Sequence, residues 1–529
     1  MIFSIRDDPL TGRSHTTRPP LRCTPGAVVD CQNITTGLAS ARVRRSLPSW
    51  WRTASSPHRQ TLQPPNGDRL VRHFITIFSA LLLAACGSSS SINLPVTDDP
   101  DPVQGAETLE IIHASPDAPD VNVLIDGEPV AEGAPYKAGL ALQAPAAEIN
   151  LSIEGLVPGA GDDASPLEPG AVTVIEAPLA TPAGTRVTVF AANNVADIEP
   201  IVITAPIEDV PADSVRLRVV HAAPIFDPEM VSVFLTAPDG ELDAPAETFA
   251  FGSDFGPIDV PEDDYRIRIT PAGDPDTLLF DSGTLPLQGG SDLVVAAVVS
   301  ALPGVPLSLL IADGESVGEL IDARAQATAR VVHAAADAPN VDVLLDDALP
   351  PAIENLAFPE FTERLPLDAG DYNVKVVPTG SGPEAAVIDA DATFVAGVEY
   401  SVYAIGLLED IGGLLLVDDN RRVNTEARLR IVHAAPSAGD VDVYLEVAGE
   451  TLAAPALAEV PFGAESGYLS VAPGSYDIAI VPAGGDPLAP AIGPLPIALQ
   501  AGGIYTVVAR DAAGGGGPFD VISLDDDLN

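Results

Sequence analysis

Four histidines are the side chains best suited to chemistry in residues 74–529. His113, His221, His333 and His433 are the only histidines there, and each sits in one recurring phrase: Ile111-Ile112-His113-Ala114, Val219-Val220-His221-Ala222, Val331-Val332-His333-Ala334 and Ile431-Val432-His433-Ala434. Imidazole titrates near neutrality, so a recurring histidine suggests a general base or a metal ligand. Zinc needs three or four ligands, and each phrase offers one histidine and no cysteine. A base needs a nucleophile, and no Gly-x-Ser-x-Gly or paired Ser or Cys accompanies these histidines. Strand alternation places His113 on the apolar face with Leu109 and Ile111, and the other three likewise, opposite Arg216/Arg218, Arg330 and Arg428/Arg430. The expected role is therefore structural: a buried, neutral, hydrogen-bonded imidazole. No catalytic residue, metal or cofactor is expected.

Acidic loops are the second candidate. Asp117, Asp120 and Asp126 bracket one strand, and Asp337, Asp342 and Asp346 bracket its counterpart. Calcium requires six to eight converging oxygens, and no EF-hand spacing is present. Turn chemistry, in which Asp accepts local backbone hydrogen bonds, accounts for the pattern, with calcium as the alternative.

The elements that position these residues follow from composition. The chain has 529 residues, 46% of them apolar, with 52 Pro and 45 Gly but only 5% aromatics. That mixture predicts several domains of short strands and turns. From residue 73 onward, 15 basic residues face 71 acidic ones. Such a surface repels nucleic acid and anionic lipid headgroups, so nucleic acid is excluded as a partner. No tryptophan follows Trp51, which weakens a sugar-platform reading.

Residues 1–70 differ from the rest: they hold both tryptophans, Cys23, Cys31 and 10 of the 24 arginines. They are expected to be a mis-assigned or disordered extension, with the start at Val71. Val71-Arg72-His73, the run Phe74–Leu83 and the small residues ending at Ala85 form a secretory signal too short to span a bilayer. Its ending, Leu83-Ala84-Ala85-Cys86, resembles the lipobox of bacterial lipoproteins. The resemblance implies cleavage before Cys86 and acylation of that cysteine. Two or more acyl chains anchor stably, because each buried methylene contributes about 0.8 kcal/mol. Gly87 is not the aspartate that retains such proteins at an inner membrane, which favours the outer membrane or cell surface. Residues 86–106 read as a flexible tether. With no cysteine after Cys86, the exported domains rely on their cores alone.

The histidine phrases recur at steps of 108, 112 and 100 residues. A second phrase follows each: Val121-Asn-Val123, Val231-Ser-Val233, Val341-Asp-Val343 and Val441-Asp-Val443. A third is Tyr265-Arg-Ile267-Arg-Ile269, Tyr372-Asn-Val374-Lys-Val376 and Tyr476-Asp-Ile478-Ala-Ile480, with Ile149-Asn-Leu151-Ser-Ile153 departing in the first copy. Period-two alternation predicts an all-β fold: four tandem antiparallel β-sandwiches of Ig-like type, over 107–212, 213–322, 323–424 and 425–529. A period near 100 residues is too long for a solenoid, so each repeat is expected to close its own core, like beads on a string. The histidine phrase followed by Val-[Asp/Asn]-Val resembles the bacterial domain of unknown function family DUF4397, in four copies. The family implies an exported, often anchored location more than a chemistry.

The expectation is a non-catalytic, lipid-anchored envelope protein acting as a stalk, adhesin or scaffold. It would bind the membrane through acylated Cys86 and an unidentified envelope or extracellular partner. A peptide-, glycan- or small-ligand-binding module is the first alternative and an anchored hydrolase the second. The lipobox makes a direct prediction: mass spectrometry of the membrane-purified protein finds acylated Cys86 as the first residue, and Cys86→Ser releases the protein from the membrane. Peptides from 1–70 in the mature protein would contradict it.

Overall fold

A computed structural model describes residues 107–161, 165–224, 230–302 and 304–525. Cys86, the extension at 1–70, the signal at 71–85, the tether at 86–106 and residues 225–229 lie outside the described residues. Within them the chain is all-β: short strands joined by turns and four single-turn 3-10 segments, with no α-helix. The strands form eight sheets of four or five strands.

The sheets face one another in four sandwiches. In the first, one sheet runs Gly139–Ala144, Glu107–His113, Thr185–Ala192, Glu199–Pro206 from edge to edge. Its partner runs Glu128–Ala134, Val121–Ile125, Glu148–Pro158, Pro169–Ala180. Leu109 and Ile111 from one sheet pack against Val121, Val123, Leu151 and Ile153 from the other. The second, third and fourth sandwiches repeat this core with Leu217 against Ile269, Val331 against Val376, and Leu429 against Ile480.

One feature goes beyond an antiparallel expectation. The histidine strand pairs parallel with a late strand of its own repeat, the next-to-last in the first, third and fourth and Asp292–Val299 in the second, while every other pairing is antiparallel. The register is the same in all four: His113 opposite Ala191, His221 opposite Ala297, His333 opposite Ala404 and His433 opposite Ala509. Between the two, the chain passes through the other sheet, returns as the edge strand on the histidine strand's far side (Gly139–Ala144 in the first repeat) and crosses to the other sheet again. The two strands therefore enter from the same end, which no hairpin can achieve.

Each repeat closes its own core, as expected, but the sandwiches are also joined to one another. All described residues fall in one compact unit, and two apolar clusters lie between sandwiches. One joins Ile112, Ala114, Phe190 and Ile203 of the first repeat to Val220, Ala222, Val294 and Leu310 of the second. The other joins Val332, Ala334 and Tyr403 of the third to Val432, Ala434, Val508 and Ile522 of the fourth. Glycine permits the close approach: a Cβ at Gly139 would overlap the side chain of Val317 across the first boundary. The joints are equally involved, with Asp322, Asp418, Val423 and Glu426 all buried. The physical reason is visible in the phrase itself. In Val-Val-His-Ala both strand faces carry apolar residues, the pattern of a strand covered on two sides. Burying one valine or isoleucine contributes about 1.5–3 kcal/mol, so several such pairs hold neighbouring sandwiches firmly.

Candidate functional site

Each histidine lies in the core of its own sandwich, at 0–3% exposure. The Nε2–H groups of His113, His333 and His433 donate to the carbonyls of Pro119 (3.0 Å), Pro339 (3.0 Å) and Gly439 (2.7 Å), always six residues on. The opposite nitrogen accepts: Nδ1 of His433 from the Ala435 N–H at 3.3 Å, and Nδ1 of His221 from the Ala223 N–H at 3.4 Å. A neutral imidazole with Nε2 protonated satisfies both bonds. It pins the crossing loop between the two sheets. An aromatic ring meets each histidine edge-on at 5.9–6.2 Å: Tyr136, Phe251, Phe358 and Phe462. The sequence reading missed these rings, although each lies 23–30 residues after its histidine. Burial pushes the His113 pKa down to about 4, with the Pro119 carbonyl opposing and Arg421 adding to the depression. His333 is lowered for the same primary reason.

The acidic loops resolve into backbone staples. Asp342 accepts the N–H groups of Asn355 (2.7 Å) and Gly380 (2.8 Å), and Asp442 those of Glu459 (2.8 Å) and Gly484 (2.9 Å). Burial alone would raise the Asp342 pKa, but these donors outweigh it and leave it lowered. Asn122 takes the same place in the first repeat, accepting the Gly133 N–H at 3.0 Å. The polar residue of Val-[Asp/Asn]-Val thus ties its strand to its neighbours. Asp126 and Asp346 sit at left-handed turns and accept the N–H groups of Asn150 (2.9 Å) and Asn373 (2.8 Å). Asp337 holds the Leu408 N–H at 2.7 Å. Among the described residues no group of three or more His, Cys, Asp or Glu is placed to hold a metal.

The charges brought together by the fold are elsewhere, on the face opposite the histidines. Between the first two sandwiches Glu110, fully buried, receives Arg186 Nε (2.7 Å) and Nη2 (3.1 Å), the Thr188 hydroxyl (2.6 Å) and the Gly314 N–H (2.8 Å). Arg186 continues to the Asp292 carbonyl at 2.9 Å. Between the third and fourth, Asp418 receives Arg430 (2.5 Å), Arg364 (2.8 Å) and the Ser401 hydroxyl (2.6 Å), with Arg330 at 3.8 Å. Burial pushes the Asp418 carboxyl up, yet the three guanidinium groups and the hydroxyl outweigh it and hold it low.

From Asp418 the joint runs across the first sandwich. Arg421 donates to the Ala118 carbonyl at 2.7 Å and lies 5.5 Å from the centroid of the Tyr136 ring. Asn424 bonds Asp117 through backbone (2.9 Å) and side chain (2.6 Å). The Tyr136 hydroxyl donates to Val299 of the second repeat at 2.8 Å. Around this crossing opens a cleft of about 550 Å³, lined by the first three repeats and the joint. Arg364, Arg421 and Arg422 line it beside Asp117, Glu399, Thr328 and Asn420. In so acidic a chain this concentration of guanidinium groups is the local exception, and it suits an anionic or multiply hydrogen-bonding ligand. Sequence reading passed over these residues. The signal available was the scarcity of arginine combined with Arg421-Arg422 beside Asp418-Asp419 at the boundary of two repeats.

A family model described as "Domain of unknown function (DUF4397)" matches residues 107–233 and 327–444, so the chain carries this family's domain in those two regions. Each match runs from one histidine strand past the next. No curated protein matches the chain. Among solved structures, "The Bacillus anthracis TIE protein" is similar at 9% identity, covering 77% of this chain and 69% of that one, with a TM-score of 0.13. So low a score carries no argument.

Two predictions arise from these buried groups. The folded pKa of His113, about 4, lies below its unfolded value of 6.5. The unfolded chain therefore gains the proton first, and the contribution is complete above pH 6.5 and lost as pH falls toward 4, by roughly 3 kcal/mol. Denaturant titrations between pH 7 and 4 should show this slope, flattened in His113→Gln, which keeps a donor but does not titrate. Asp418→Asn leaves three buried guanidinium groups short of their counter-charge. It should lower unfolding stability by about 3–5 kcal/mol, read as a reduced denaturation midpoint.

Proposed function

We propose that the protein is a non-catalytic, lipid-anchored envelope protein whose four sandwiches act as one rigid scaffold, not as a flexible stalk. The observation that carries this reading is the burial of the outer face of every histidine strand in contact with a neighbouring repeat, through Ile112 and Val220 in one pair and Val332 and Val432 in the other. A stalk gains reach from separate domains on exposed joints, whereas here the joints contribute Asp418, Val423 and Glu426 to the interior. A rigid body with fixed clefts suits placement of partners better than extension. The second and fourth repeats, on this reading, are divergent copies of the same domain. Anchoring rests on Cys86 and its lipobox, and the acidic composition fits an exported surface that must not adhere to nucleic acid or anionic lipid.

Ligand binding at the arginine-lined junction is the second reading, favoured by the position of that cleft between repeats. Domain interfaces are preferred places for such sites.

Small-angle scattering on residues 87–529 separates scaffold from stalk. A rigid assembly of this size should give a radius of gyration of about 22–26 Å, whereas four domains in line should approach roughly 40 Å. The larger value, or a strong dependence of shape on salt, would restore the stalk.

A further inference from the structure

The third sandwich differs from its siblings in what fills it. Between its sheets is an apolar cavity of about 210 Å³, with Val331, Val343, Val374 and Phe394 in its walls and His333 among its lining residues. Comparison by strand register shows why it is there. Ala390, opposite Val374, and Ala392, opposite Tyr372, occupy the places of Leu495 and Ile497 in the fourth repeat. Gly413, opposite Ala404, occupies the place of Val521 in the fourth repeat, Leu309 in the second and Pro200 in the first. Nothing in the backbone demands that glycine: a Cβ there would make only ordinary contact, 3.6 Å from Ile388. The missing side chains leave the edge between Ile388–Phe394 and Gly412–Asp418 open. Ala390 and Gly413 are exposed at the opening, beside Leu415 at 40% and Val417 at 58% exposure.

We propose that this cavity is a binding site for an alkyl chain of about six to eight carbons bearing a neutral or positively charged head. The length follows from volume, since an apolar cavity near 150 Å³ stays dry and accepts benzene, and this one is larger by about two carbons. The head follows from the rim. Asp391 lines the opening, and both Asp389 and Asp391 are held by the Asn373 amide at 2.9 and 3.1 Å. Lys375 approaches Asp389 only at 3.8 Å and is engaged with Asp347 at 2.6 Å. A carboxylate head would meet like charge there; an amine or hydroxyl would not. The site does not depend on the scaffold reading, because it lies within one sandwich.

Calorimetric titration of the whole protein with butyl-, hexyl- and octylamine, octanol and octanoate tests the proposal. Octylamine should bind one per chain, with affinity rising about fourfold per methylene from four to eight carbons. Octanoate should bind at least tenfold more weakly. Ala390→Leu and Gly413→Val restore the residue types of the fourth repeat. Each should abolish binding while circular dichroism and the melting temperature remain those of a folded protein or rise. Absence of saturable binding, no dependence on chain length, a preference for octanoate, or unchanged binding in both folded variants would overturn the proposal. Should neither variant fold, the chain-length series on the natural protein decides alone. Two further results would assign the opening to another occupant and overturn it. One is a mass that doubles with concentration unless Ala390→Leu is present. The other is sedimentation of Cys86→Ser protein with phosphatidylcholine vesicles that Ala390→Leu abolishes.

Discussion

Everything in this molecule depends on a strand that is covered on both faces. In each repeat the histidine strand sends leucine or valine and the imidazole into its own sandwich, and sends valine or isoleucine and alanine outward into the neighbouring one. A strand so placed has no solvent face to absorb polar substitution, so both residues beside the histidine are constrained as tightly as the histidine itself. The parallel pairing with a late strand of the same repeat completes the enclosure, because it places the histidine strand inside its sheet and away from an edge.

Charge that falls on the outer face must then be answered locally. Glu110 is matched by Arg186, a threonine hydroxyl and a backbone N–H from the next repeat, and Asp418 by three arginines and a serine. Such buried groups contribute little net stability relative to an apolar replacement, but mispairing them is costly. They therefore act mainly on which repeat meets which and in what register. The Arg421 crossing extends that logic from pairs of sandwiches to the first three repeats and the third joint, and the cleft around it arises where polar surfaces meet without closing.

Repetition of the frame leaves room for differences in the filling. All four repeats share the edge-on aromatic, and the first, third and fourth share the histidine bond to the crossing loop and the staple at the second strand. They differ in what lines each interior, and in the third repeat Ala390, Ala392 and Gly413 exchange packing for open volume. An unfilled apolar void of about 210 Å³ in an otherwise dense core is expected to cost a few kcal/mol of stability.

The sequence by itself determined the strand phrases, their period, the inward histidine and the all-β class, because alternation of side chains along a strand is a local property. His113 and its counterparts read as core residues for that reason, and the staple at Asp342 was within reach as turn chemistry. Only the tertiary structure decided what met the second face of Ile112 and Val332, that Asp418 and Arg430 share one buried site, and that Arg421 crosses to Tyr136. These contacts join residues from different repeats, up to some three hundred positions apart. Alternation says that a face is apolar but carries no information about which distant surface covers it.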